Sequence, residues 1–261
     1  MRFFARAKQY ISSHWFLFEE LVKRDFKGKY KGTVLGMGWS ILSPIMQLFV
    51  MKMVFTQFFG RNSPHYTTYL FSGLLIYHYF RDASKSGLGS LMANAKIISR
   101  VKVPKYIFLL SRNVSAVINF FLTICVYFVF CAFDGITFSW RMLALLYPML
   151  CLMVFNIGVG MILSALYVFF RDTSYLYDIF ILLLRYLCAI FYQIDRFSPK
   201  IQRMFLMNPI YCYIKYFRTV VIDGMRLSSQ YHLLCAGYAL AVLVIGILIY
   251  RKCNVKFLYY M

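Results

Sequence analysis

The fold class predicted by the sequence is an all-α integral membrane protein. It would have six transmembrane helices, an N-terminal amphipathic interface helix, and short re-entrant helices between spans five and six. Three observations predict it. Of 261 residues, 61% are apolar and 15% charged, against roughly 45–50% and about 25% in soluble proteins. The apolar residues gather into six runs, each near the 20 or so residues that cross a bilayer. The 29 Lys and Arg against 9 Asp and Glu sit mostly between those runs. That placement suits loops beside anionic lipid and argues against nucleic-acid binding, which needs a soluble basic domain.

Each element follows in order. Residues 1–34 form the interface-helix region, where Phe4, Ile11, Trp15, Phe18, Val22 and Phe26 recur at helical steps and Lys and Arg fill the other face. Residues 35–250 form the transmembrane domain, with spans at about 35–59, 67–91, 106–133, 142–170, 175–192 and 232–250. Span four carries Gly158, Gly160 and Ser164, a small-residue face for close helix packing. Residues 92–105 are a loop between spans two and three, and 251–261 a tail. The 193–231 stretch is too long for a simple turn. After Ser198-Pro199 and Asn208-Pro209, an apolar stripe of Ile210, Ile214, Phe217 and Val221 predicts short helices dipping into the outer membrane face, with Lys215 and Arg218 facing away. An ordinary surface loop is the alternative.

Loop charge sets the orientation. Sixteen basic residues fall before span one, after spans two and four, and after span six; eight fall on the other side. The richer side is expected to be cytoplasmic, which places both termini inside. The first apolar run follows some thirty mixed residues, so no cleavable signal peptide is expected.

The sequence offers no catalytic residues and no metal site. His14, His65, His78 and His232 are scattered, the seven cysteines make no CxxC pair, and Gly28-Lys29 is followed by Tyr30 rather than completing a phosphate-cradling loop. Energy for any work must come from a partner. Lys52, Arg81, Asp82, Lys85, Arg112 and Arg185 lie in or near spans. Charges there either face a pathway or reach back to the interface. Lys52 and Arg185 are the stronger pathway candidates, and Asp178 and Arg185 are open to pairing with other helices.

Four stretches, in order along nearly the whole chain, resemble one family. They are Arg24-Asp25-Phe26-Lys27 with Tyr30-Lys31-Gly32-Thr33 and Leu35-Gly36; Asn94, Ile97-Ile98 and Val103-Pro104; Phe170-Arg171-Asp172; and Asn208-Pro209 with Phe217-Arg218 and Gly224. Together they resemble the membrane subunits of type-2 ABC transporters that export O-antigen, capsular polysaccharide and teichoic acid. One departure is Ile190-Phe191-Tyr192-Gln193, where the family usually carries an aliphatic-proline-aliphatic motif.

The resemblance implies a homodimeric permease in the bacterial cytoplasmic membrane, partnered by two ATP-binding cassette subunits and moving a lipid-linked polysaccharide. The chain itself would hold no cofactor, ATP and Mg being bound by the partner ATPase. Asn94, Lys96, Ile97, Ile98, Arg100, Lys102 and Pro104 are expected to form the ATPase-coupling loop, with the two isoleucines as apolar knobs. Arg24, Asp25, Lys27, Tyr30, Lys31, Gly32 and Gly36 are expected to link the arm to span one, the lysines holding lipid headgroups or a substrate diphosphate. Arg171 and Asp172 mark a cytoplasmic loop. Asn208, Pro209, Ile210, Ile214, Phe217 and Arg218 are expected to build an outer gate packed on spans one and five, with Arg218 facing the exit or headgroups. A membrane-embedded transferase and an ion-channel subunit are the rival readings, disfavoured by the lack of an acid pair and of a selectivity-filter-like repeat.

Overall fold

The computed structural model describes residues 2–55, 65–101, 103–194, 197–225, 228–254 and 256–260. Every element among them is helical. The arm is one helix, α1 (Arg2–Tyr30), followed by a short 3-10 turn (Gly36–Gly38) and α2 (Trp39–Phe55). Then come α3 (Tyr66–Leu88), α4 (Ala95–Arg100), α5 (Tyr106–Phe133), α6 (Leu146–Phe169) and α7 (Thr173–Leu187). The chain ends with α8 (Pro199–Phe205), α9 (Pro209–Val221), α10 (Ser229–Cys253) and α11 (Phe257–Tyr260).

Three helices are long and apolar enough to cross a membrane by length and composition: Tyr106–Phe133, Trp140–Phe169 and Ser229–Cys253. Gly36–Val50 is a shorter apolar helix. α3 has 23 residues but carries Arg81, Asp82 and Lys85. α7 stops after 15 residues, five short of the expected end of span five at Tyr192. At about 1.5 Å per residue it is roughly 22 Å long, less than a hydrocarbon core of about 30 Å. The backbone beyond it is irregular and buried from Cys188 to Phe191.

α6 is the central post, packed on α10 and α3. A Cβ at Gly158 would lie 2.6 Å from the Leu243 backbone nitrogen, and one at Gly160 would lie 2.8 Å from Leu109 Cδ1. The small-residue face of span four thus serves both α10 and the α3–α5 side. One apolar core joins α3, α5, α6, α9 and α10. A second, at the end carrying both termini, joins Leu21 of the arm, Ile98, Ile107 and Phe108 to Val168, Tyr250 and Phe257. Broad apolar faces stay exposed on α2 (Met46, Phe49) and α7 (Leu176, Ile179, Leu183, Tyr186).

Candidate transport path and coupling surfaces

The arm reaches the bundle through a buried carboxylate. The Asp25 side chain is 4% exposed. It accepts from Arg24 Nε and Nη2 at 3.1 and 2.8 Å and from Ser111 Oγ at 3.0 Å, with Arg112 Nε 3.4 Å away. A buried carboxylate needs such partners, since burial of an unpaired charge costs several kcal/mol. α1 therefore packs along α5 instead of lying free beside it. Leu21 is its buried apolar contact, while Trp15 is 58% exposed; Phe4 and Ile11 lie outside the described side chains. Lys27, Lys29 and Lys31 are exposed as expected. The turn out of the arm uses left-handed backbone at Gly32 (φ 82) and Gly36 (φ 51), where a side chain would be strained. The Tyr30 hydroxyl closes it by hydrogen bonding Ser40 of α2 and Asn119 of α5.

Two adjoining cavities of about 540 and 640 Å³ run from that junction between α2, α3 and α5, sharing Lys29, Asp82, Ala116 and Asn119. Basic side chains line the arm end: Arg24, Lys29, Lys85 and Arg112. Deeper in, the lining alternates Ser40, Ser43, Gln47, Asn119 and Thr123 with Trp39, Phe71, Tyr79 and Phe120. Hydroxyl and amide groups with aromatic faces suit a ligand rich in hydroxyls and C–H surface. Arg81, Asp82 and Lys85 line these cavities, and all three are paired: Arg81 with Asp82 (2.8 Å), Lys29 with Asp82 (3.5 Å), and Lys85 with Asp178 of α7 (2.7 Å). Of the two stronger pathway candidates, Arg185 sits 5.6 Å over the Phe191 ring. The Lys52 side chain lies outside the described residues.

The coupling loop differs from expectation. Ile98 is 6% exposed and belongs to the termini-end core, and Ile97 packs against it. Neither is an outward knob, because the short α4 turns its apolar side onto the bundle. The Asn94 amide donates to Ser90 O (2.8 Å), a local turn bond in a residue 1% exposed. What faces outward is Lys96, Ser99, Arg100 and Val101. α4 ends at an extended Val101, and Pro104 precedes Lys105, whose ammonium bonds Asn254 and sits 5.5 Å over the Phe257 ring. Burial pushes the Lys105 pKa below the usual lysine range. No local sequence pattern points to this bracket between loop and tail. Lys102 lies outside the described residues. Arg171 and Asp172 are exposed at the α6–α7 turn.

At the opposite end, Asn208 caps α9 by accepting from Ile210 N, with Pro209 at the first turn. Ile210, Ile214, Phe217 and Val221 are all buried, as the stripe predicts. α9 packs chiefly on α3 and α10, and it also meets the last residues of the expected span five through Leu187, Ala189 and Ile190. Arg218 does not face the exit. It is 7% exposed, and its guanidinium donates to Ser72 Oγ (3.3 Å), Ala189 O (2.9 Å), Tyr69 O (3.1 Å) and Ile190 O (3.0 Å). Lys215 is half-buried, 5.4 Å over the Tyr231 ring. Neighbouring carbonyls are also held: Leu187 O by the Asn208 amide, Phe191 O by the Tyr66 hydroxyl, and Tyr192 O by the Tyr69 hydroxyl. Buried irregular backbone requires such internal partners. The Ile190–Gln193 stretch thus achieves without proline a break after α7, through left-handed Ala189 (φ 48).

The sequence profile of the ABC-2 type transporter family matches residues 17–222. The chain belongs to that family. An ABC-2 chain is a membrane transporter component, and the apolar helices agree. Among its relatives is an O-antigen export system permease protein, RfbA, of Klebsiella pneumoniae, 28% identical over 251 residues, 93% of this chain and 95% of the relative. RfbA of Myxococcus xanthus is 24% identical, covering 73% and 74%. The polysialic acid transport protein KpsM of Escherichia coli is 21% identical, covering 89% and 92%. The ABC-2 match begins within α1 and ends just after α9. It therefore takes in the Asp25 anchor, α4 and the Arg218 cage.

Proposed function

We propose that this ABC-2 chain is the permease subunit of an exporter that moves a lipid-linked polysaccharide across the bacterial cytoplasmic membrane. Two copies form the conduit, and two separate ATP-binding subunits drive it. The observation that carries this reading is likeness, over nearly the whole chain, to proteins named for O-antigen export and polysialic acid transport. The six spans are α2, α3, α5, α6, α7 and α10, with both termini in the cytoplasm by the excess of basic residues at that end. α7 is completed as a span by the buried stretch after Leu187 and by the α8–α9 hairpin. The exposed apolar faces of α2 and α7 then meet lipid or the second copy.

The ATPase docks on Lys96, Ser99, Arg100 and Val101 of the α4 loop and on the Arg171–Asp172 turn. Ile97 and Ile98 transmit its movement, because they connect that surface to the core holding the arm, α6 and α10. At the arm end of the cavities, Arg24, Lys29, Lys85 and Arg112 suit the phosphates of a lipid carrier, and the polar and aromatic wall suits its first sugars. Deleting the gene tests this reading: surface polysaccharide should disappear while lipid-linked polymer accumulates inside. Unchanged surface polymer would reject it.

A further inference from the structure

We propose that Arg218 is the latch of the outer gate: a tethered guanidinium that fills a cage of neutral oxygens and binds α3, α9 and the broken end of α7 into one block. The idea deepens the exporter reading, on which the word gate rests. Its observations are independent of that reading.

Among the described residues, the four acceptors of Arg218 are all uncharged, and they come from two places in the chain. Ser72 Oγ and Tyr69 O belong to α3. Ala189 O and Ile190 O belong to the irregular, buried stretch just past α7, whose carbonyls have no helical ladder to satisfy them. The Tyr69 ring adds a face 3.4 Å from the guanidinium carbon. α3 makes room for the group by carrying glycine: a Cβ at position 73 would lie 2.6 Å from Arg218 Nη2 and 3.2 Å from Ile190 Cγ2.

A cation buried at membrane depth without an anionic partner is costly, so it is rarely present only for packing. Here its fork reaches several acceptors on separate segments, which a lysine point charge would not do. Lifting α9 away from α3 would strip a charged group of its partners and leave carbonyls bare. At rest, therefore, the hairpin and the end of α7 stay shut on α3, and opening moves them as one body.

The test is ion leak through purified protein, assembled with its ATPase and reconstituted in liposomes. Arg218→Ala should leak small ions at least fivefold faster than the parent protein. Millimolar guanidinium chloride, but not equal sodium chloride, should restore the seal by refilling the cage. Arg218→Lys should leak to an intermediate degree. Gly73→Ala keeps the arginine but displaces it, and should leak without guanidinium rescue. An assembled Arg218→Ala protein that stays ion-tight, or a leak that guanidinium leaves unchanged, would overturn the latch. If Arg218→Ala does not assemble, an ion-tight Gly73→Ala protein overturns it and a leaky one supports it. Polymer export by the parent protein, measured alongside, reports on the exporter reading separately.

Discussion

Asp25 on the arm and Arg112 on α5 approach within 3.4 Å, and the carboxylate is almost fully buried while the guanidinium is 30% exposed. This contact, reinforced by Arg24 and Ser111, makes the arm part of the bundle. An Asp25→Ala change would leave two arginines without a counter-charge. Because both are partly solvated, the loss should be about 1–2 kcal/mol rather than the larger cost of a wholly buried pair. Melting in detergent should fall accordingly, and trypsin should cut α1 faster. An unchanged cleavage rate would remove Asp25 as the anchor.

The α4 loop separates docking from packing. Lys96→Glu combined with Arg100→Glu should cut copurification of the ATPase severalfold and leave melting unchanged, since both side chains are exposed. Ile98→Asp should instead deplete the folded protein, because it buries a carboxylate in an apolar core. If Ile98→Asp melts like the parent, the inward placement of Ile98 is wrong.

Phe217 is fully buried, with its ring 5.4 Å from that of Tyr127. Phe217→Asp should therefore unfold the outer end and not merely open it, at a cost above about 3 kcal/mol. Phe217→Leu should retain assembly. An assembled, ion-leaky Phe217→Asp protein would show that Phe217 seals the outer end without holding its fold together.

At Gly158 the approach of α10 leaves no room for a methyl group. Gly158→Ala should lower stability by about 1–3 kcal/mol through overpacking, read as a lower melting temperature. Gly237→Ala, where a Cβ meets nothing within 4 Å, should be neutral or slightly stabilising.

Much of the helix layout was legible because apolar runs and proline or glycine breaks are local signals. Tyr106–Phe133 coincides with the third predicted span, and Asn208-Pro209 opens α9 as read. The apolar stripe of α9 was legible for the same reason. Orientation of single charged residues was not. Arg218 follows Phe217 in sequence and looked outward by helical phase, but its partners come from residues 69–72 and 189–190, which no local pattern reveals. Ile97 and Ile98 misled in the opposite sense: apolar residues on a short loop were read as a docking surface, yet the core they fill is assembled from five other segments. The early end of α7 is likewise matched by distant tyrosines, which capture carbonyls of the stretch beyond it.

In the proposed role, this chain carries a lipid-linked polysaccharide across the membrane when a partner hydrolyses ATP. The most direct measurement uses inside-out liposomes holding the permease and its ATPase, with lipid-linked polymer supplied outside and protection of the glycan from a glycosidase as the signal. Protection should grow with ATP hydrolysis and disappear with the Lys96→Glu, Arg100→Glu protein. Polymer that stays fully accessible while ATP is hydrolysed would contradict it.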